Sequence, residues 1–400
     1  MKRILFVISH LYGGGAERAL SNLVTHIPND WEIDILLNND KTETYPYRGR
    51  LISLDIENER MGSVFFHFRL LIKRMKMLYQ LKKNNGYAAC VSFLDSSNVA
   101  NILTGNKYCK VIISARSSLQ RQSMLPQYKY VVIPLVRLLY NRADRIVAVS
   151  KGVGSELVQS FSLKKDKVVV IENGYDINGL NKLAEEPLTD AEQMCMQNKK
   201  VIVTAGRLVD VKGYQHLIRA FAETQKQIRD AMLIIAGEGE LEESLKELAK
   251  NCKIADSVFF AGFTKNLYRL VSKADAFVMT SLYEGFPNAM AEAVCLGIPC
   301  IATDFHAGAR EILAPDIADS AVQIEEMTEV EYGILVPLCS GQKYRGKEPL
   351  ERAEQELVKA MTLLLQDSEK RDYYKHKTSS RAKMLTIEGS VNRWLEIISE

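Results

Sequence analysis

The sequence contains no C-x-x-C pair. Its seven cysteines stand at 90, 109, 195, 252, 295, 300 and 339. The number is odd, and several lie inside apolar runs such as YAACVSF and AVCLGIPCI. That pattern argues against a disulfide framework and predicts buried, reduced thiols of a cytosolic chain. The six histidines have no metal-ligand spacing, so no structural zinc is expected and no metal ligand is assigned. No segment reaches roughly 18 uninterrupted apolar residues, the length of a membrane-spanning helix. The opening MKRILFVISH reads as a buried strand rather than a signal peptide. Low-complexity tracts and coiled-coil repeats are also missing, as are G-x-G-x-x-G and the P-loop pattern G-x-x-x-x-G-K-[ST].

What is present is ordinary globular composition, 47% apolar and 25% charged over 400 residues, too long for one typical core. The net charge of +3 is unevenly spread: residues 1–175 hold 25 Lys and Arg against 14 Asp and Glu, the remainder 27 against 35. A basic first half suggests an anionic partner such as nucleic acid, a phospholipid surface or a phosphorylated substrate. Short apolar runs alternate with helical stretches. KRILFVIS, EIDILLN, AACVSFL, KVIISA, RIVAVS and KVVVIENG come first, then a polar, acidic stretch over 176–198 that reads as a linker. The alternation restarts at KKVIVTAGRL and continues through AMLIIAG, SVFFAG, AFVMTS and PCIAT. The fold class expected is α/β with two Rossmann-like, doubly wound, mostly parallel sheets, one in residues 1–175 and one in 199–385, followed by a helix over 386–400. Ligands of such sheets sit beyond the carboxyl ends of the strands, and with two domains the cleft between them is the expected place. Residues 315–350 read as an insertion around one short strand, GILVP.

Three stretches carry chemistry. In GGGAER, Gly13 to Arg18, glycines follow a strand and precede a helix, so backbone N–H groups of Gly14 and Gly15 can approach a phosphate; a plain tight turn, with Glu17 and Arg18 as surface charges, is the alternative. In GRLVDVKG, Arg207 and Lys212 follow a strand end five residues apart, a spacing that can clamp a diphosphate, Arg by bidentate hydrogen bonds and Lys as a mobile charge; two solvated cations are the alternative. In EGFPNAMAEAVCLG, Glu284 precedes a helix entered at Pro287 and Glu292 lies inside it. The N–H groups from Phe286 through Asn288 to Ala289 would face a ligand with the positive end of the helix dipole. Glu292 sits among apolar neighbours, where an unpartnered charge is costly.

Together, GGAER, R-x4-K after the acidic stretch, and two glutamates with seven residues between them around Gly-Phe-Pro resemble glycosyltransferase family 4, retaining enzymes of the GT-B fold. The likeness spans roughly residues 1–315 and the final helix, which it implies returns to the N-terminal domain. It implies that Arg207 and Lys212 bind the donor diphosphate and stabilise the leaving group. Glu284, with Phe286, Pro287, Asn288 and Ala289, would hold the donor sugar, Glu292 the ribose, and Phe263 would lie near the base. Gly14, Gly15 and Glu17 would approach the substrate from the other domain. SFLDSSNVA, with Asp95, and GILVP are similar to a bacterial subgroup that builds lipid-linked oligosaccharides, capsules and O-antigens. Many relatives place a histidine near the end of the strand VIIS; here Arg116 stands there, which implies a phosphate contact on the acceptor. The reaction implied is metal-independent and cofactor-free transfer of a hexose or N-acetylhexosamine from a nucleotide-sugar, UDP-linked by expectation, to a polyprenyl-diphosphate-linked glycan, with no nucleic-acid partner. The donor phosphate receives the acceptor proton, so no protein nucleophile is required. The stretch His67–Lys83, six cations among Phe, Leu, Ile, Met and Tyr, suggests peripheral contact with the cytoplasmic face of a membrane. A nucleotide-sugar epimerase of similar fold is the alternative. A non-catalytic sugar-binding protein is disfavoured by the lack of an export signal.

Overall fold

The computed structural model describes residues 2–40, 45–56, 64–119, 128–305, 308–320 and 322–400. The chain divides into two compact units, one of Met1–Gly174 with Ile387–Glu400 and one of Tyr175–Thr386.

Among the described residues the first unit carries seven strands: β1 (Lys2–Val7), β2 (Trp31–Leu37), β3 (Arg50–Ser53), β4 (Ala89–Phe93), β5 (Lys110–Ala115), β6 (Arg145–Ala148) and β7 (Val168–Val170). They lie in the order β3-β2-β1-β4-β5-β6-β7, every neighbour parallel. Helices must cover both faces of such a sheet, so its strands are apolar on both sides. In β1 the alternation divides Ile4 and Phe6 from Leu5 and Val7, which enter two different apolar clusters. The first cluster is closed by the C-terminal helix Ile387–Ser399, whose Trp394 stacks on Phe93 at 5.7 Å. The second is closed by the helix Val64–Asn85 through Leu78. Edge strand β3, RLIS, is short and part exposed, and so carries no apolar run in the sequence.

The second unit repeats the architecture with β8 (Lys200–Ala205), β9 (Ala231–Ala236), β10 (Val258–Gly262), β11 (Ala276–Met279), β12 (Cys300–Thr303), β13 (Thr328–Val330) and β14 (Gly333–Val336), ordered β10-β9-β8-β11-β12-β14-β13. All six residues of β9 are buried. Among the described residues only the β13–β14 pair is antiparallel; the strand expected at GILVP is β14, which lies between β12 and the edge strand β13.

The stretch 176–198 is not an extended linker. It folds as two helices of the second unit, Ile177–Ala184 and Asp190–Met196. Its acidic residues are what allow this: Thr189 and Glu192 form a capping box, and Glu192 accepts both hydrogen bonds of an Arg269 fork at 2.9 and 3.0 Å. All seven cysteines are unpaired; five are buried, and Cys195 and Cys252 are half-buried.

Candidate functional site

In each sheet the strand order reverses next to the first strand of the unit, between β1 and β4 and between β8 and β11. Ligands of doubly wound sheets bind beyond the carboxyl ends at such a switch point.

In the second unit this point lies between the R-x4-K loop and the loop that precedes the helix Asn288–Cys295. After β8, Gly206 takes φ 150°, Arg207 is exposed, and a 3-10 turn over Asp210–Lys212 ends at Gly213 with φ 62°. A Cβ at Gly213 would lie 2.2 Å from the carbonyl oxygen of Thr280, after β11. Only glycine fits there, and the contact locks the two loops together. The Thr280 hydroxyl donates to the carbonyls of Lys212 and Gly213, each at 3.1 Å, and Leu282 N–H donates to Val211 at 2.8 Å. This staple aims Lys212 Nζ at Glu284, 2.5 Å away, and Ser281 Oγ donates to the same carboxylate oxygen at 2.8 Å. Two residues separated by 72 positions therefore form a half-buried ion pair at the switch point. The helix begins at Asn288 with Pro287 as its cap, one residue later than the sequence suggests. Asn288 N–H donates back to Phe286 O at 3.0 Å, so that donor is already used, and the Asn288 side chain accepts from Tyr175 Oη at 2.7 Å. Phe286 and Glu292 are buried, at 6% and 3% exposure, while Ala289 is half-buried. Two strands away, Phe263 is 66% exposed at the end of β10, its N–H donating to Glu238 at 3.3 Å. Leu208 N–H, in the R-x4-K loop, donates to Glu238 O at 2.9 Å.

In the first unit, Gly14, Gly15 and Glu17 follow β1, Asp95 follows β4 and Arg116 follows β5, on three adjacent strands of one sheet. Glu17 is not the surface charge expected of a first helical turn. It is 5% exposed, folded back so that a Cβ at Gly14 would lie 2.0 Å from Oε2, and its Oε1 is 3.4 Å from Nε2 of His10. The positive end of the helix Gly15–His26 favours a carboxylate there. Asp95 opens the helix Asp95–Leu103 directly after Leu94, held at φ 72°, and accepts from Tyr140 Oη at 2.8 Å. Burial pushes the Asp95 carboxyl up, with the Tyr140 hydrogen bond opposing it. The Arg116 guanidinium lies 5.5 Å from the centre of the Phe93 ring and donates to Asn173 Oδ1. It is a fixed cation rather than a free one.

The stretch His67–Lys83 lies in the helix Val64–Asn85; the side chain of His67 is outside the described residues. Part of its expected apolar face is turned inward: Leu78 is fully buried and Leu71 and Met75 pack on the same cluster, while Phe68 and Ile72 stay outside. Two cations are internal. Arg74, 2% exposed, donates to Asn38, Ser96 and Ser9. Lys82, 1% exposed, caps the carbonyls of Asn101 and Gly105, both at 3.0 Å. Phe68, Arg69, Ile72, Lys73, Lys76, Tyr79 and Lys83 are exposed, although Lys73 Nζ is held by Leu54 O. No helix among the described residues is long and apolar enough to cross a membrane.

Sequence spacing could not reveal two further groupings. His10 was invisible because its partner Glu17 meets it only through the fold. Likewise His216, Cys339 and Glu351 bring one metal-type donor atom each within 4.8 Å of one another, from three distant positions. Hydrogen bonds already engage them: His216 Nδ1 with Glu354 at 2.9 Å, and Glu351 with the N–H of Ser340 at 3.0 Å and the hydroxyl of Tyr344 at 3.1 Å. Burial pushes the Cys339 thiol well up, and the Glu351 and Glu354 charges push it further, which keeps it protonated. The cluster fastens the segment 339–351 to the helix Tyr214–Gln227.

The family model described as Glycosyl transferases group 1 matches residues 189–330, and that described as Glycosyltransferase Family 4 matches residues 13–178. An uncharacterized glycosyltransferase of Methanocaldococcus jannaschii is 32% identical over 275 residues, 68% of this chain and 67% of that protein. The N-acetylgalactosamine-N,N'-diacetylbacillosaminyl-diphospho-undecaprenol 4-alpha-N-acetylgalactosaminyltransferase of Campylobacter jejuni is 27% identical over 387 residues, 96% of this chain and 95% of that one. Among solved structures, Anabaena HepE in complex with UDP and glucose superposes over the whole of both chains with a TM-score of 0.74 at 18% identity.

Proposed function

Because the chain belongs to the family 4 glycosyltransferases, with the fold of their GT-B members, we propose that it transfers a hexose or N-acetylhexosamine from a UDP-sugar to a polyprenyl-diphosphate-linked saccharide. The product would be a bacterial surface glycan. The observation that carries this reading is the Lys212–Glu284 pair at 2.5 Å, stapled at the switch point of the second sheet. A cation and a carboxylate held side by side suit a donor whose diphosphate needs positive charge and whose sugar hydroxyls need an acceptor. Arg207, on the same loop, supplies the second cation. As the glycosidic bond to the diphosphate breaks, charge grows on the leaving oxygen and is met by groups already fixed in place. The acceptor hydroxyl attacks the face the diphosphate leaves, its proton passing to a donor phosphate oxygen, so the anomeric configuration is retained. This proposal assigns no step to a metal. The UDP choice is supported by the nucleotide bound to the Anabaena neighbour, and the lipid-linked acceptor by the activity that names the Campylobacter relative. An anionic acceptor also agrees with the fixed Arg116 and the excess of cations in the first 175 residues. Peripheral membrane contact would use the exposed stripe of Phe68, Ile72, Lys76, Tyr79 and Lys83.

The test is direct. Purified protein in EDTA is given UDP-N-acetylgalactosamine or UDP-N-acetylglucosamine and a polyprenyl-diphosphate-linked N-acetylhexosamine. The saccharide should lengthen by one residue with an α linkage by NMR. Isomerised nucleotide-sugar without acceptor would replace this reading with an epimerase, and activity only after Mg²⁺ or Mn²⁺ addition would overturn its metal-independence.

A further inference from the structure

Tyr214 opens the helix Tyr214–Gln227 directly after Gly213. It is 2% exposed, and its ring belongs to the apolar core of the second unit. Its hydroxyl, however, has no hydrogen-bond partner among the described residues. Buried hydroxyls are normally satisfied, and one left without a partner carries a desolvation cost. Where this one points is informative. A Cβ at Gly206 would lie 3.1 Å from Tyr214 Oη, 3.3 Å from Lys212 Cε and 3.5 Å from Lys212 Nζ. The hydroxyl and the ammonium therefore flank the same glycine at the end of β8, on the loop that carries Arg207. Burial raises the phenol's pKa and the Glu284 carboxylate raises it further, so at any physiological pH the group keeps its proton and can donate.

We propose that Tyr214 is a ligand-contacting residue of the donor site, its hydroxyl donating a hydrogen bond to a diphosphate oxygen that Lys212 also meets. This rests on the donor reading above. A charged oxygen arriving beside Gly206, where Tyr214 Oη and Lys212 Nζ both point, gives the orphaned donor its partner. The cost of the unpartnered hydroxyl in the free protein is then recovered on binding, which ties Tyr214 to the ligand rather than to the fold.

Tyr214→Phe keeps the ring and removes only the oxygen. Thermal unfolding without ligand and calorimetric titration with UDP, GDP and ADP, then with UDP-N-acetylglucosamine, are measured on both proteins. In the free state the variant should melt higher, by about 2–4 °C, because an unsatisfied polar atom is gone. It should bind whichever nucleoside diphosphate the wild type binds about tenfold or more weakly, the scale of a hydrogen bond to a charged group. The loss should be the same for UDP and its sugar conjugate. A lower melting temperature in the free variant would mean that the hydroxyl serves the fold, and would overturn the proposal. Unchanged diphosphate affinity, or a loss confined to the sugar nucleotide, would overturn it while leaving the donor site standing. If the wild type binds none of these nucleotides, the donor reading falls and the proposal falls with it.

Discussion

At the residue scale the two loops of the second unit are joined by contacts that leave little freedom, and this sets what single substitutions do. Glu284→Gln keeps the shape and the Ser281 hydrogen bond but removes the charge that Lys212 faces. Turnover should fall by at least about a hundredfold, as for other pre-positioned polar groups, while the melting temperature stays within a few degrees; near-native kcat would remove Glu284 from the mechanism. Gly213→Ala acts differently. Its Cβ would meet a backbone oxygen at 2.2 Å from a left-handed conformation, so it should cost about 2 kcal/mol or more in denaturant unfolding and misdirect Lys212 as well. Arg207→Ala and Lys212→Ala should each weaken binding of the UDP-sugar, and the double variant by less than the sum, since both address one diphosphate. Strict additivity in a double-mutant cycle would mean that they act on separate groups. The loops were legible in the sequence because glycines, cations and carboxylates of this kind fall at fixed spacings around strand ends. The Tyr214 hydroxyl and the His10–Glu17 contact were not, because each depends on where a side chain turns once the strands are paired.

At the scale of the element, the helix Val64–Asn85 shows why a charge pattern alone misleads. Its six cations look alike in sequence, yet Arg74 and Lys82 are satisfied inside the unit by Asn38, Ser96 and the carbonyls of Asn101 and Gly105. Leu71, Met75 and Leu78 are core. Membrane contact can use only what remains outside. Replacing Arg69, Lys76 and Lys83 by Gln should sharply reduce sedimentation with phosphatidylglycerol vesicles at low salt, each cation contributing about 1 kcal/mol near an anionic surface, and high salt should do the same to the wild type. Wild type that stays in the supernatant at low salt would remove the membrane from the proposal. Arg74→Gln should instead destabilise the first unit without a specific effect on vesicles, because it takes the charged donor from the buried Asn38 side chain. The strands were readable since two-sided burial demands near-continuous apolar runs. The helices within 176–198 were not, because short acidic helices held by caps and the Glu192–Arg269 pair have no apolar run to announce them.

At the scale of the whole molecule, each unit has its own apolar cores, and perturbed carboxyls of the two units are shifted in opposite directions. In the second unit Glu354 is fully buried. Burial pushes its carboxyl up, but hydrogen bonds from His216 and Arg219 outweigh this and hold it below its ordinary value of 4.5. Glu192 and Glu356 are lowered in the same way, against burial, chiefly by Arg269 and Lys359. A carboxyl with a depressed folded pKa contributes stability that is fully present above its unfolded value and is lost as pH falls through the folded one. Asp95 in the first unit is the reverse. Burial raises it above 3.8, so the fold prefers its protonated form, and the stability this gives is present at low pH and lost as pH rises through the raised value. Scanning calorimetry between pH 6 and pH 3.5 should therefore show the transition of the second unit falling more steeply than that of the first. Asp95→Asn should steepen the acid loss of the first unit by removing the opposing contribution. Glu354→Gln should cost about 3 kcal/mol or more at pH 7, since Arg219 is left buried beside a neutral group, and should flatten the acid dependence of the second unit. A second-unit transition whose slope with pH is the same in Glu354→Gln as in the wild type would show that the His216–Glu354–Arg219 cluster is not what acid releases.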